Sequence, residues 1–527
     1  MQDSSNLRFN APVLAAGSVI ILPALVFFFL RDQTFVHIDA IAHVNKARGL
    51  FDNFTPGLKQ LGSIWLPLPH LLMAPLAWFD VLWRTGLAGS LLSAAAYVGA
   101  GCFLFGIAFR STGSRMAGWA AFLVFALNPR IIYLSTTPMT EPLTIFFLAG
   151  LGYFVISWIQ TARWQPLAWA ALMAVGGTLT RYEGWAIAAA FIVIVATTAV
   201  RRRWESAVLF AGAACTGPLL WMLYNLAYFE DPLMFMFGRG SAKDYAFEHF
   251  LRTGQKFATA GSWTDSLWTY FVAAAYSVSP AVMWLAIAGI AISWIFLRKT
   301  WRVQAVLFTM AAAPFAFYVH SLYSNTVPIL MPGLVKTEPD SIFNVRYGAV
   351  MAAALPVYAA VTIYFLLRRT EARPALAIFM LGPLILPDVV PQASRETIHA
   401  QFTHNLFYAE GVRNQSFWMP PFLEVADRLK EDIERTGDAA SFILTDSRIV
   451  HPVVWRTAIP MRRFIHEMNK DRWNENLQAI DPGIRWVITE EGDLLWHAQG
   501  RFLRENFDEV SSAKLPSTGR VHLYRRR

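Results

Sequence analysis

Apolar runs long enough to cross a bilayer recur along the first three quarters of this 527-residue chain. A spanning helix needs about 20 predominantly apolar residues, so we predict about eleven transmembrane helices. They lie near residues 11–30, 86–109, 117–136, 141–159, 167–180, 184–200, 206–227, 273–297, 303–322, 347–367 and 374–390. The chain is therefore predicted to be a polytopic α-helical membrane protein whose first apolar run is retained as a span.

Charged residues are sparse and unevenly distributed. They make up 15% of the chain, against about 25% in ordinary soluble proteins. From residue 391 onward 19 basic side chains balance 19 acidic ones, so the whole net charge of +9 lies in the first 390 residues. We interpret this excess as the positive-inside bias of a membrane protein, and we expect no nucleic-acid partner.

The basic residues occupy every second connection between the predicted spans, which predicts the topology. These connections contain residues 110–115, 163, 201–203, 298–302 and 368–373. By the positive-inside rule this side is cytoplasmic, which places the N-terminus inside and, for an odd number of spans, the C-terminus outside. Short loops and the absence of eukaryotic retention signals favour the bacterial inner membrane.

The chain divides into two predicted domains. Residues 1–390 are expected to form the transmembrane domain, with a functional first outer loop at 31–85. Residues 391–527 contain strand patterns such as SFILTD, RWVITE and VHLYRR alternating with helical ones. This region is predicted to be a soluble extracytoplasmic α/β domain.

The first outer loop begins with a cluster of ionisable residues: His37, Asp39, His43 and Lys46. If a helix starts near Asp39, its side chain and that of His43 share one face, with Lys46 on the next turn. Such a cluster at a membrane boundary is a functional hypothesis. Alternatively, Asp39 is only a first-turn acid that suits the helix dipole. The three acidic and histidine side chains lack a fixed fourth ligand, so no cofactor is certain and a divalent metal stays open.

Further candidates lie at the mouths of later spans. Glu141 follows Thr140 and precedes Pro142, a pattern that also suits a helix start for capping reasons alone. Arg130 lies in an apolar stretch, where an arginine requires a partner. Both are candidates for substrate binding.

Two more segments place charge at membrane depth. Arg181, Tyr182 and Glu183 interrupt two short apolar runs and could line a cavity, or Arg181 and Glu183 could form a structural ion pair. Arg346 precedes the tenth predicted span, and its guanidinium suits phosphate, although an interfacial snorkelling role fits almost as well. The chain has no P-loop and no HExxH motif, which disfavours an ATP-driven pump and a zincin protease.

The order of these motifs resembles that of the GT-C membrane glycosyltransferases, over most of the chain. HIDAIAHVNKAR resembles the first-loop Asp motif of the branch that contains the family 39 protein O-mannosyltransferases and the lipid A aminoarabinose transferase. WLPLPHLLMAPLAWF resembles the membrane-parallel Pro-rich segment that follows it, and TPMTEPLTIFFLAG and LTRYEGW come in the expected order. Many members carry two adjacent acids in the first motif, whereas Ala40 follows Asp39 here, which leaves the acceptor class open.

The resemblance implies an inverting hexosyl- or pentosyltransferase. It would move a sugar from a polyprenyl-phosphate donor to a lipid, glycan or protein acceptor at the outer membrane face. Asp39 would be the general base, and Arg181, Arg346 and Lys46 would supply positive charge for the leaving phosphate. Substrate-positioning roles would fall to the other candidates: His37, His43, Arg130, Glu141, Tyr182 and Glu183.

Two other functions fit the same residues. A secondary transporter or lipid flippase would use the buried charges as an ion or substrate path. It would be favoured by inverted repeats, and the sequence shows no matching halves. A non-catalytic assembly or receptor protein would tolerate substitution of Asp39.

Overall fold

The computed structural model describes residues 11–199, 202–238, 240–331, 334, 342–368, 405–516 and 519–527. The chain forms two compact units. Unit 1 comprises Met1–Arg31, Ser63–Pro69 and Ser90–Ala409, and unit 2 comprises Asp32–Gly62, His70–Gly89 and Glu410–Arg527. The predicted domain boundary at 390/391 and the predicted span at 374–390 lie outside the described residues.

Unit 1 is built from helices, most of them strongly apolar. In chain order the helices outside the first outer loop are α1 (Ala11–Phe29), α5 (Leu87–Thr112), α6 (Arg115–Ala126), α7 (Pro129–Ser135), α8 (Glu141–Thr161), α9 (Trp164–Thr178), α10 (Glu183–Thr198), α11 (Arg203–Phe229), α12 (Met234–Phe237), α13 (Ala242–Thr253), α14 (Trp263–Val278), α15 (Pro280–Phe296), α16 (Trp301–Tyr323) and α17 (Leu355–Leu367). A 3₁₀ helix at Val345–Ala353 precedes α17. The protein is thus a multi-pass helical membrane protein.

Of the helices that the structure describes, fewer than the eleven expected are candidate spans. Among the described residues, five helices are long and apolar enough to cross a membrane: α1, α5, α8, α11 and α16. Three bent pairs raise the number to as many as eight if each pair is one span. The predicted runs at 167–180 and 184–200 correspond to α9 and α10, which have only 15 and 16 residues and are shorter than a regular span.

Three predicted spans are bent although their apolar patterns are continuous, and one of them, predicted at 347–367, bends by 52° between the 3₁₀ helix and α17. The run predicted at 273–297 begins earlier, at Trp263, and bends by 106° between α14 and α15. Ser279 at this bend has a φ of +80° and its hydroxyl caps α15 by accepting from the Val282 N–H. The run at 117–136 bends by 67° at Asn128, whose side chain caps α7 in the same way. A polar cap followed by proline starts a new helix despite the continuous apolar pattern.

Unit 2 joins the first outer loop to the C-terminal segment. The outer loop contributes α2 (Ile38–Gly49), most of α3 (Leu68–Ala77) and α4 (Asp80–Arg84). The C-terminal segment contributes most of α18 (Leu406–Trp418) together with α19 (Pro420–Thr436), α20 (Ser447–Thr457), α21 (Lys470–Gln478) and α22 (Leu494–Asn506). Asn469 donates hydrogen bonds to Asn53 Oδ1 at 2.9 Å and to Thr55 Oγ1 at 2.6 Å, which ties the two parts of the unit together.

A five-stranded mixed sheet forms the core of the C-terminal part of unit 2. The strands are β1 (Phe442–Leu444), β2 (Phe464–Ile465), β3 (Ile484–Glu490), β4 (Phe507–Lys514) and β5 (Arg520–Arg526), in the order β2-β1-β3-β5-β4. β1 pairs in parallel with β2 and β3, whereas β5 pairs antiparallel with β3 and β4. The strands predicted from SFILTD, RWVITE and VHLYRR are confirmed as β1, β3 and β5, and with them the α/β character of this region.

Candidate functional site

Helix α2 of unit 2 carries the ionisable cluster of the first outer loop. The helix begins at Ile38, as predicted, with Asp39 in its first turn and His37 at the N-cap position. Asp39 is partly exposed, whereas His37 and His43 are buried. A carboxylate in a first helical turn is favoured by the helix dipole, so Asp39 suits the start of α2.

His43, on the same helix as Asp39, contacts a second histidine. Its Nδ1 lies 2.9 Å from Nε2 of His70, a fully buried residue of α3. One of these two nitrogens carries a hydrogen and donates a hydrogen bond, which the other nitrogen accepts. The tautomer of one ring therefore determines that of the other. His70 is therefore a hydrogen-bonding partner of the first-loop cluster.

Lys46 lines a cavity within unit 2. Its Nζ donates to the Leu61 carbonyl at 3.1 Å. The cavity has a volume of about 50 Å³, and its polar lining includes Lys46, Asn53, Gln60, Ser447, His451 and His466. Burial lowers the pKa of Lys46 to about 8, and the neighbouring Glu467 carboxylate only partly opposes this shift. The outer loop and the C-terminal segment thus both contribute polar groups to one cavity.

The two histidines of the cavity are held in their neutral form. Burial lowers the pKa of His451 to about 3, and the charge of Lys46 adds to the shift. Burial also lowers the pKa of His466 to about 4, with a smaller opposing effect from Asp446. Neutral imidazoles both donate and accept hydrogen bonds, so the cavity presents mixed donors and acceptors around a single ammonium group.

Unit 1 contains a separate, buried network of four charged residues. Arg181 Nε lies 2.6 Å from Glu183 Oε1, and Arg181 Nη1 lies 3.3 Å from Glu141 Oε1. Arg346 Nε lies 3.0 Å from the same Glu141 oxygen. Two guanidinium groups thus face two carboxylates, and the network is formally neutral. The ion-pair alternative for Arg181 and Glu183 is the arrangement found.

Polar and aromatic side chains fix the position of Arg181. Its Nη1 also donates to Thr140 Oγ1 at 3.1 Å, and its Nη2 donates to the Tyr318 hydroxyl at 3.2 Å. The guanidinium carbon lies 4.6 Å from the ring centre of Tyr347. A guanidinium offers a fixed fork of N–H donors, and here the fork is directed at oxygens of three different helices.

The remaining candidates of unit 1 have other partners. The Tyr182 hydroxyl donates to the Ile64 carbonyl at 2.6 Å and accepts from Trp221 Nε1 at 3.1 Å, so Tyr182 anchors the segment that precedes α3. The guanidinium of Arg130 lies 4.1 Å from the ring centre of Tyr276. A cation–π contact of this kind supplies the partner that a buried arginine requires.

The structure therefore groups the predicted residues into separate sets. Glu141, Arg181, Glu183 and Arg346 form one network in unit 1, whereas the first-loop residues lie in unit 2. Sequence reasoning missed His451 and His466, because an isolated histidine carries no motif. The described residues include no group of three histidine, cysteine or acidic side chains placed to hold a metal ion.

Comparison with known proteins identifies the fold. No family model and no curated protein matches the chain. Among solved structures, ArnT from Cupriavidus metallidurans bound to undecaprenyl phosphate matches with a TM-score of 0.56 and 14% identity, over 96% of this chain and 97% of that one. The apo state of the same ArnT matches with a TM-score of 0.56 and 13% identity over the same shares. The resemblance inferred from the sequence is thus confirmed at the level of the fold, and this chain has an ArnT-like fold along nearly its whole length.

Proposed function

We propose that this protein is an inverting glycosyltransferase that uses a polyprenyl-phosphate-linked sugar as donor. The observation that carries the proposal is the fold match, which covers 96% of the chain and includes an ArnT structure bound to undecaprenyl phosphate. The acceptor is a hydroxyl of a lipid, glycan or protein. The reaction takes place at the outer face of the bacterial inner membrane, and membrane lipids surround the helical unit.

In this proposal Asp39 is the general base. An inverting transfer requires a carboxylate that removes the proton from the acceptor hydroxyl while its oxygen attacks the anomeric carbon. The bond between that carbon and the phosphate oxygen breaks, and polyprenyl phosphate leaves with the bonding electrons. The partly exposed position of Asp39 in the first turn of α2 supports this role, since a buried carboxylate would be inaccessible to the acceptor.

The arginines of unit 1 are proposed to stabilise the leaving phosphate. Fixed positive charge is most effective in a site with a low dielectric constant, and the side chain of Arg346 is only 5% exposed. Arg181 has most of its donors directed at protein oxygens. We therefore propose that Arg346 and Arg181 both supply positive charge for the leaving phosphate, and that Arg181 also holds Glu141 and Glu183 in place.

The finer topology is also proposed. It has about eleven spans, a cytoplasmic N-terminus, and a C-terminal α/β domain on the periplasmic side that begins near residue 391. A C-terminal fusion to alkaline phosphatase, which is active only outside the cytoplasm, tests this orientation. Active phosphatase is expected, and an inactive but intact fusion would reverse the proposed topology.

The proposed reaction is tested by transfer of radiolabelled sugar from membrane polyprenyl-phosphate donors to membrane acceptors. Wild type is compared with Asp39→Asn at equal expression and equal thermal midpoint. The matched control is Asp471→Asn, because Asp471 is also a first-turn acid of a helix in unit 2 and is exposed. This control removes the same helix-dipole term without touching the proposed base.

We expect a loss of about 100-fold or more in transfer for Asp39→Asn, the usual scale of general-base catalysis, and little change for Asp471→Asn. Equal transfer by both variants would remove Asp39 as the base. Transport of the labelled lipid across vesicles without any transfer would instead favour the flippase alternative.

A further inference from the structure

Arg48 lies in the last turn of α2, and only 11% of its side chain is exposed. Asp39, the proposed base, lies nine residues earlier on the same helix, which is about 13.5 Å along the helix axis. Arg48 is therefore too far from Asp39 to touch the reacting atoms. A largely buried charge requires partners, and the partners of Arg48 show what holds the end of α2.

The guanidinium of Arg48 contacts the C-terminal end of α3. Its Nη1 donates to the carbonyl oxygen of Ala77 at 3.1 Å and to that of Trp78 at 2.8 Å. The last carbonyls of a helix lack an intrahelical partner, and the helix dipole favours a cation beside them. Arg48 thus satisfies two acceptors at the end of α3 and joins that end to α2.

Two carboxylates contact the same guanidinium. Nη2 of Arg48 lies 2.8 Å from Oδ1 of Asp80 in the first turn of α4, and Nε lies 3.0 Å from Oδ2 of Asp52. Asp52 is buried, and its Oδ1 accepts from the Arg462 backbone N–H at 3.4 Å. Through Asp52, Arg48 also connects α2 to the C-terminal part of unit 2.

Trp83 of α4 contacts the same end of α2. Its ring centre lies 4.5 Å from the guanidinium carbon of Arg48, and its Nε1 donates to Asn45 Oδ1 at 2.8 Å. Trp83 and Asn45 are both buried. Residues three apart on a helix are neighbours on its surface, so Asn45 and Arg48 fix one face of α2 to α4.

We propose that Arg48 is a positioning residue for the transfer reaction. By joining α2 to α3, to α4 and to the C-terminal part of unit 2, it fixes the direction of α2 and thereby the place of the Asp39 carboxylate. A tilt of about 4° over about 13.5 Å moves Asp39 by about 1 Å, and a misplacement of about 1 Å can reduce a rate about 100-fold. The proposal rests on the proposed glycosyltransferase function, with Asp39 as its base.

Variants of the full-length protein in detergent separate positioning from stability. Arg48→Gln removes the charge and all the contacts of the guanidinium. The matched control is Arg84→Gln, because Arg84 contacts the same Asp80 at 3.6 Å but is 43% exposed. A second control, Arg525→Gln, removes the 2.8 Å contact with buried Asp432. It lowers the stability of unit 2 in its C-terminal part without changing a contact of α2.

Hydrogen–deuterium exchange followed by mass spectrometry measures the effect on α2 without any substrate. We expect the amides of Ile38–Gly49 to exchange about tenfold faster or more in Arg48→Gln, because the contacts that hold this helix are lost. The exchange of the same amides should match wild type in Arg84→Gln and in Arg525→Gln.

Steady-state transfer is measured at a temperature at which all variants are folded. We expect kcat to fall about tenfold or more in Arg48→Gln, since the base is misplaced, and the KM for the donor to stay close to that of wild type, since Arg48 contacts no substrate in this proposal. Arg48→Lys keeps the charge but loses the fork of donors, so its kcat should also fall. It replaces Arg48→Gln in each comparison if the glutamine variant does not fold.

Three results would overturn the proposal. Equal losses of kcat in Arg48→Gln and Arg525→Gln at equal thermal midpoints would make Arg48 a stabilising residue only. Unchanged exchange of α2 in Arg48→Gln would mean that its contacts do not hold the helix. A loss in Arg84→Gln as large as that in Arg48→Gln would assign the effect to the charge beside Asp80.

Failure of the glycosyltransferase function is recognised separately, because wild type would then transfer no sugar. The exchange rates would still decide whether Arg48 holds α2: faster exchange in Arg48→Gln alone would support that part of the proposal, and equal exchange in all variants would overturn it.

Discussion

Arg346 donates its Nε hydrogen to Oε1 of Glu141 at 3.0 Å, and the two residues are 205 positions apart in the chain. Only 5% and 4% of their side chains are exposed. The same oxygen receives Nη1 of Arg181 at 3.3 Å. Glu141 is therefore the shared counter-ion of two guanidinium groups, that of Arg346, which is buried, and that of Arg181, which is largely buried.

Glu141→Gln should strongly destabilise the protein. The substitution leaves two arginines and only one carboxylate, Glu183, in the network, and removal of one partner from a buried ion pair costs about 3–5 kcal/mol. The thermal midpoint in detergent, followed by tryptophan fluorescence, measures the effect. The control is Glu205→Gln, because the Arg202–Glu205 pair is 67% and 60% exposed and such pairs contribute at most about 1 kcal/mol. Equal midpoints for the two variants would argue against a structural role of Glu141.

A double-mutant cycle between Glu141 and Arg346 should show strong coupling. Glu141→Gln and Arg346→Gln each leave a buried charge uncompensated, whereas the double variant restores the neutrality of the network. We expect the double variant to be more stable than the sum of the single changes by about 1–3 kcal/mol. Chemical denaturation of the three variants and wild type gives the coupling free energy. Additive effects would mean that the contact does not contribute to folding.

The sequence predicts the helix starts at which Glu141 and Glu183 lie, but it does not predict the ion pairs between these residues and the arginines. Thr140, Glu141 and Pro142 mark the start of α8, and the break at TLTRYEGW places Glu183 at the start of α10, both as expected. The pairing of Arg346 with Glu141 could not be predicted, because it depends on how the 3₁₀ helix at Val345–Ala353 packs against α8. Contacts between residues far apart in sequence are set by tertiary packing, which one sequence does not show.

Dependence on tertiary packing also explains why His451 and His466 of unit 2 were not predicted from the sequence. The strands β1, β3 and β5 follow from their short apolar runs. The cavity does not, because Lys46 and His451 are about 400 residues apart in the chain and His451 belongs to no motif. The breaks at Asn128 and Ser279 were missed for a different reason: a cap of one polar residue does not interrupt an apolar average.

Arg181→Lys should not preserve the function of Arg181. The arginine uses three nitrogens to contact Glu183, Glu141 and Tyr318, whereas a lysine is a single charged point on a flexible stem. We expect a lower thermal midpoint and a loss of transfer of about tenfold or more, since misplacement of positioning groups reduces the rate. Arg203→Lys, at an exposed helix start, is the control. Full activity of Arg181→Lys would show that only its charge matters.

Acid should destabilise unit 2 through its buried histidines. The folded state holds the pKa of His451 at about 3 and that of His466 at about 4, both below the usual 6.5, mainly through burial. Between these values and 6.5 the unfolded chain binds more protons than the folded one, so stability is lost as the pH falls below 6.5. Lys46, His466 and His70 are the charged or titratable groups that act on His451.

The expected pH effect is measured by thermal unfolding between about pH 7 and pH 4.5. His451→Leu removes one of the groups that resist protonation, so its midpoint should fall less over this range than that of wild type. His497→Leu changes an exposed histidine and should follow wild type. The same decline with pH in His451→Leu as in wild type would contradict the assignment.

Two helical glycines should respond oppositely to alanine. A Cβ at Gly289 of α15 would overlap the carbonyl oxygen of Tyr358 in α17, so the close approach of these two helices requires glycine. A Cβ at Gly212 of α11 would meet no atom within 4 Å. Membrane helices pack closely through small residues, and a glycine in an open helical position costs about 0.5–1 kcal/mol relative to alanine. Gly289→Ala should therefore lower the thermal midpoint, whereas Gly212→Ala should leave it unchanged or raise it. If Gly289→Ala were as stable as Gly212→Ala, α15 and α17 would not be in the close contact described here.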